Sequence, residues 1–353
     1  MSHKYNNNCL DLLLTVAWKN DSVVMIDQTR LPNKLVYIRC RDYKEVANAI
    51  KNLVVRGAPA IGVTAAFGLA LAAIQSNSKT LSELMADLDI AFKVLQSTRP
   101  TAINLFWALR RVMKKARGKK SVDEVKNAIL DEALKMAKED IEINKQIGMN
   151  GAKLFEDGDV IMTHCNAGSL ATAAYGTALG VIRRAKEDGK RLSVIVTETR
   201  PVMQGSRLTT FELHHDDIDV SLIPDTAVGY MMFKKVIKRV IVGADRVLRT
   251  GHVFNKIGTY QVAIMANIHK IPFYVAAPLS TFDFENTPED VVIEERSIDE
   301  VIKIGRKRIV PRGVRVFNPA FDMTPPELIT GIITEKGVLK PPFGKNLELL
   351  YNK

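Results

Sequence analysis

Between positions 23 and 40 short apolar and polar stretches alternate, VVMIDQTRLPNKLVYIRC. Such alternation predicts two β-strands joined by a turn at Pro32-Asn33-Lys34. From Asp42 to Met113 the period lengthens to that of a helix, with breaks at Gly57-Ala58-Pro59 and at Arg99-Pro100. Residues 121–155 form one long amphipathic pattern in which Val125, Ile129, Leu134, Ala137 and Ile141 recur at helical spacing. Ser121 followed by Glu124 supplies a capping box at its start. The most apolar run, 57–74, approaches the roughly 20 residues that a membrane helix needs. Its proline and its density of glycine and alanine predict a tightly packed core helix instead.

Beyond residue 155 the rhythm changes. Short apolar strands at 160–164, 192–197, 219–223, 240–242 and 272–276 alternate with helical stretches at 170–186, 208–213, 227–235 and 260–269. Strands of this kind, each a nearly continuous apolar run, imply a parallel sheet covered on both faces. The fold class is therefore α/β: a Rossmann-like C-terminal domain, preceded by a smaller, mostly α-helical N-terminal domain with a few β-strands. The expected organisation is an N-terminal domain over 1–120, a connecting helix over 121–155 and the Rossmann-like domain over 156–353. A ligand belongs beyond the carboxyl ends of the strands. The chain contains no GxGxxG, so a dinucleotide is not indicated.

Composition narrows the picture only a little. The 353 residues are 46% hydrophobic and 25% charged, an ordinary globular mix, with a formal net charge of +11. A basic balance admits nucleic acid, an anionic membrane surface or a phosphorylated small molecule. No interleaving of aromatic and basic residues supports nucleic acid. Cys9, Cys40 and Cys165 are too few and too scattered for a disulfide framework or a zinc site. His214-His215-Asp216-Asp217 has no further ligands at a recognisable spacing, so no metal is expected. The N-terminus lacks the features of a signal peptide, and a cytoplasmic protein that leaves membranes alone is the expectation.

Candidate chemistry gathers at strand ends. Cys165 follows the 160–164 strand in THCNAGS, where a following helix would lower its thiol pKa; a small buried residue is the plainer alternative. His164 beside it points to the opposite face and reads as a packed histidine. Asp245, one short turn after the 240–242 strand, is either a crevice acid raised by desolvation or a helix N-cap. Asn255-Lys256 then opens the next helix, a phosphate cradle if the lysine is not merely solvated. Arg56 and Arg99 each precede a proline-started helix, where a cation opposes the helix dipole and a shared anion would resolve the conflict. Gln204 sits in a polar cluster after a strand end.

Together these segments resemble the methylthioribose-1-phosphate isomerase family, within the superfamily of the translation initiation factor 2B regulatory subunits. The resemblance spans roughly residues 18–338. It is carried by IDQTRLP (26–32), RGAPAIGVTAA (56–66), RPTAINLFWAL (99–109), THCNAGSLATAAYGTALGVI (163–182), ETRPVMQG (198–205), GADR (243–246), NKIGTY (255–260) and NPAFDMTPPELI (318–329). It implies an aldose–ketose isomerase acting on a sugar 1-phosphate without a cofactor, with Cys165 and Asp245 as the catalytic pair. Arg56, Gly57, Ala58, Arg99, Gln204, Asn255 and Lys256 match the substrate-binding positions. It also implies a homodimer, for which the apolar stretch 318–338 offers material. The linker 247–254 departs from the family pattern, with Arg249, His252 and Phe254 expected close to the site. These residues keep open ribose 1,5-bisphosphate or another pentose 1-phosphate as substrate. A non-catalytic regulatory subunit is the rival of another class.

Overall fold

The computed structural model describes residues 12–99 and 103–351. Cys9 and Pro100, both singled out in the sequence, lie outside them. The chain opens with an antiparallel sheet of β1 (Val16–Trp18), β2 (Val23–Ile26) and β3 (Tyr37–Cys40), in that order. The expected pair of strands is present, but β1 is an addition. The connection between β2 and β3 is also longer than a tight turn. Ile26 pairs with Tyr37, and residues 27–36 form a loop closed by the Asp27 N–H donating to the Val36 carbonyl at 2.8 Å.

Five helices follow: α1 (Tyr43–Lys51), α2 (Ala58–Gln75), α3 (Leu81–Gln96), α4 (Ile103–Ala116) and α5 (Val122–Ala152). Asp42 caps α1, Thr80 forms a capping box on α3, and the Ser121 hydroxyl accepts from the Glu124 N–H at the start of α5. Every residue of α2 from Ala60 to Ala73 is buried. A helix apolar all round is stable in water only when wrapped, and α1, α3, α4, α5 and the small sheet provide the wrapping. The first half of α5 joins this core through Val125, Ile129 and Met136, while Ile147 and Ala152 join the core of the following sheet.

The chain then runs through β4 (Val160–Thr163), α6 (Ala178–Glu187), β5 (Ser193–Thr197), α7 (Thr210–His215), β6 (Asp219–Ile223), α8 (Val228–Phe233), β7 (Arg239–Val242), β8 (Arg246–Leu248), β9 (Val253–Lys256), α9 (Thr259–Ile268) and β10 (Phe273–Ala276). The chain continues through β11 (Phe282–Asp283), α10 (Asp299–Ile302), β12 (Lys303–Ile304), β13 (Lys307–Arg308), β14 (Phe321–Thr324), β15 (Gly331–Thr334), β16 (Gly337–Leu339) and α11 (Phe343–Tyr351). Seven strands lie in the order β16-β15-β10-β7-β4-β5-β6, all parallel except β16. The chain runs from β4 outward to β6, then returns to place β7 on the other side of β4. The strand order therefore reverses between β4 and β7, and a crevice opens beyond their carboxyl ends.

Four expectations change. The helix read over 170–186 begins only at Ala178; ahead of it the buried Glu212 carboxylate accepts from the N–H groups of Ser169 (2.6 Å) and Leu170 (3.2 Å). A short 3₁₀ turn and a bridge between Gly168 and Gly176 form instead of the first helical turns. Asn255 and Lys256 do not open a helix but end β9, held in a second sheet of order β11-β8-β9-β14. The 247–254 linker is therefore part of a hairpin. The stretch 318–338 is not a free apolar face: β14 pairs with β9, and β15 is buried between β10 and β16.

Candidate active site

Cys165 lies two residues beyond β4 with φ of 65°, a left-handed backbone rarely adopted by a side-chain-bearing residue. The surroundings hold it there. Its N–H donates to Thr199 Oγ1 at 2.9 Å, and its carbonyl accepts from the Thr209 hydroxyl at 2.5 Å. Strain of this kind persists where neighbours over-determine it, and it gathers at functional sites. The thiol is buried, and burial raises its pKa despite the opposing pull of Arg56 and Lys256. The expected lowering by a helix start is absent, since α6 begins thirteen positions later.

Asp245 follows β7 and donates its backbone N–H to the Phe254 carbonyl at 2.9 Å. A strand, not a helix, comes next, so the N-cap reading falls. Desolvation raises its carboxyl pKa, with Lys256, Arg56 and Arg99 pulling the other way. Cys165 and Asp245 line one cavity of about 400 Å³, together with Arg56, Gly57, Arg99, Gln204 and Lys256. Ala58 lines a smaller adjoining cavity of about 70 Å³, which shares Gly57, Arg99 and Asp245. Asn255 lines neither: it is buried on β9 with its side-chain amide donating to Thr259 Oγ1 at 3.1 Å.

The cations are built in rather than draped on the surface. Lys256 is buried, its Nζ donating to the Ala320 carbonyl at 2.8 Å and lying 4.5 Å from the centre of the Phe321 ring. Desolvation lowers its pKa and that of Arg99. Arg56 is oriented by one residue, donating to Asn166 Oδ1 at 3.0 Å and to its carbonyl at 2.9 Å. Asn166 is itself steered by its Nδ2 donating to Glu212 Oε1 at 2.8 Å. Glu212 pairs with Arg183 at 2.7 Å, and Arg183 with Asp216 at 2.6 Å, a buried network. The His-Asp cluster seen in the sequence thus spends Asp216 on an arginine. Gly57 precedes α2 with φ of 93°, and a Cβ there would stand 2.4 Å from the Ala171 backbone. Only glycine lets the start of α2 approach the loop after β4 so closely.

Gln28, Asn166, Arg207 and Arg296 were not among the expected site residues. Gln28, Arg207 and Arg296 line the main cavity. Arg207 binds the carbonyls of Gln28 (2.9 Å) and Leu31 (3.1 Å), clasping the 27–36 loop. Gln28 and Asn166 stand inside quoted motifs, so the signal was there without a role attached. Arg296 lies in a segment with no motif. His164 is the packed histidine expected: Thr197 Oγ1 is 2.6 Å from its Nδ1, and its Nε2 faces the Ile257 carbonyl at 2.9 Å. Phe254 lines the small cavity beside Ile61, Val291 and Ile293. Arg249 and His252 do not reach it; they lie on the β8–β9 hairpin, where Arg249 is exposed and His252 Nδ1 is 2.8 Å from Thr250 Oγ1.

Fold and crevice define an α/β protein of Rossmann-like type, with a cationic pocket at its topological switch point holding a thiol and a desolvated acid. The chain belongs to the initiation factor 2 subunit family, whose sequence pattern matches residues 54–341. It is 52% identical to the methylthioribose-1-phosphate isomerase of Fervidobacterium nodosum, over 96% of this chain and 98% of that protein. The crystal structure of 5-methylthioribose 1-phosphate isomerase from Pyrococcus horikoshii is similar with a TM-score of 0.91 and 46% identity, covering 97% of this chain and 96% of that one. A structure described as translation initiation factor eIF-2B, subunit delta, from A. fulgidus is similar with a TM-score of 0.88 and 52% identity, covering 97% of this chain and 100% of that one.

Proposed function

We propose that the chain is an aldose–ketose isomerase converting 5-methylthioribose 1-phosphate into 5-methylthioribulose 1-phosphate, a step of methionine salvage. The observation that carries this reading is the meeting of Cys165 and Asp245, from the two strands at the switch point, in a crevice walled by Arg56, Arg99 and Lys256. The three cations and the free N–H groups at the start of α2 hold the phosphate. The apolar side of the small cavity, formed by Ile61, Phe254, Val291 and Ile293, takes the methylthio end, which gains by desolvation and needs no hydrogen-bond donor.

Phosphate on the anomeric oxygen prevents ring opening to a free aldehyde, so the ring oxygen must be protonated as its bond to C1 breaks. Asp245, whose carboxyl pKa is raised by burial, is the donor. The hydrogen on C2 then moves to C1, while the C2 hydroxyl gives up its proton and becomes the ketone. One proton is spent on the ring oxygen and one is returned to the site. Cys165, held as a neutral thiol by burial, stabilises the charge that develops during the C2–C1 transfer. No cofactor is invoked, because phosphate binding supplies the positioning.

The protein works as a homodimer in the cytoplasm; the one helix among the described residues that is long and apolar enough to cross a membrane, α2, is spent on the core. The deciding measurement is kcat/KM for 5-methylthioribose 1-phosphate beside ribose 1,5-bisphosphate in one buffer. A clear preference for the bisphosphate overturns the substrate and leaves the isomerase. No turnover of either would favour a regulatory subunit, a role with no chemical use for a strained thiol opposite a desolvated acid.

A further inference from the structure

Gln28 lies in the 27–36 loop that reaches from the small N-terminal sheet to the crevice. Its side chain is 2% exposed and lines the same cavity as Cys165 and Asp245. The loop is pinned on both sides of it: the Gln28 N–H donates to the Val54 carbonyl at 3.0 Å, and its carbonyl accepts from Arg207. One end of the side-chain amide is committed, with Nε2 donating to the Leu170 carbonyl at 2.7 Å. That contact fixes which way the amide faces, because an amide oxygen against a carbonyl oxygen would repel. The remaining end is therefore the acceptor, and Gln28 Oε1 is buried with no protein partner.

A buried acceptor left unpaired is costly. A phosphate cannot satisfy this one, since its oxygens are acceptors too. The partner must carry an O–H or N–H on an uncharged part of the ligand. We infer that Gln28 Oε1 accepts a hydrogen bond from a ring hydroxyl of the bound sugar phosphate, which makes Gln28 a specificity-determining residue for the sugar. This rests on the proposed sugar-phosphate reading and adds to it a residue that reads the ring rather than the phosphate or the methylthio group.

The test is calorimetric binding of ribose 1-phosphate, 2-deoxyribose 1-phosphate and 3-deoxyribose 1-phosphate to the native protein and to Gln28→Leu. The native protein is expected to bind ribose 1-phosphate about five- to tenfold more tightly than one of the two deoxy sugars. Gln28→Leu should erase that difference while binding the same deoxy sugar about as well as the native protein does. Gln28→Met, unbranched and equally without an acceptor, repeats the measurement if leucine disturbs the loop. A uniform loss across all three sugars would mean a structural role and overturn the inference, as would a native protein indifferent to both hydroxyls. In either case turnover of 5-methylthioribose 1-phosphate by the native protein leaves the proposed function standing. A native protein that binds none of the three sugars and turns nothing over ends both.

Discussion

Cys165 and Asp245 are each pulled in two directions, by burial towards the neutral form and by Arg56 and Lys256 towards the charged one. Burial prevails at both. Both should therefore be indispensable as proton-bearing groups: Cys165→Ser and Asp245→Asn are expected to cut kcat by at least a thousandfold, with unchanged circular dichroism and retained phosphate binding. Near-normal kcat in either would remove that residue from the mechanism. The sign of the pH dependence follows from the same balance. An acid that must be protonated supports activity below its pKa, so kcat/KM should fall as pH rises through the raised pKa of Asp245, above the ordinary carboxylate range. A profile that falls only as the pH is lowered would contradict this. Arg99 is desolvated, and in the proposed function it holds the phosphate. Charge-assisted contacts are worth about 1.5–3 kcal/mol, so Arg99→Ala should raise KM at least tenfold; an unchanged KM places the phosphate elsewhere.

Among the elements, the loop between β4 and α6 departs from the helical period of its sequence. Two carboxylates organise it: Glu212 takes the N–H groups at 169 and 170, and Asp140 on α5 accepts from the Ala173 N–H at 2.7 Å and from Asn144 Nδ2 at 3.1 Å. Burial pushes the Asp140 carboxyl up to about 7, and that of Asp322 to about 6. An acid whose folded pKa exceeds its unfolded value stabilises most below the ordinary carboxylate range, and that contribution is lost as pH rises through the folded pKa. Stability should thus decline between about pH 4 and pH 7, and Asp140→Asn, which keeps an acceptor for Ala173, should flatten the slope. Urea midpoints at pH 5 and pH 8 measure it; an unaltered slope in the variant would acquit Asp140. The helical period of 170–186 held no trace of either carboxylate, because both act from elsewhere in the chain. The burial of α2, by contrast, was plain from composition: a run of Gly, Ala and aliphatic residues has no polar face to turn outward.

At the scale of the molecule, the apolar stretch expected at a dimer interface proves to be internal. One group of exposed apolar side chains lies on the free edge of the main sheet and the helix after it, at Leu222, Tyr230 and Phe233, each at least half exposed. An unpaired edge strand beside exposed aromatics is a surface that soluble proteins cover. Light scattering at micromolar concentration should give twice the 39.3 kDa chain mass, and Phe233→Glu should shift the population to single chains. A single-chain mass for the native protein, independent of concentration, would refute the dimer.

Periodicity and strand-end chemistry alone marked out the buried α2, the long amphipathic α5, the alternating strands of the sheet and the strand ends that carry Cys165 and Asp245. These are local signals, readable because a strand or helix is patterned by its own neighbours. Long-range contacts, which local patterns do not encode, did the rest. Gln28 is oriented by Leu170, 142 residues away, and Arg56 by Asn166, 110 residues away. Asn255 turns from the crevice because neighbours on β9 face opposite sides and Lys256 takes the crevice side, and the Cys165 thiol is raised because burial takes water from it. Desolvation belongs to the packed molecule, so the protonation states on which the chemistry depends are set by the fold and not by the motif.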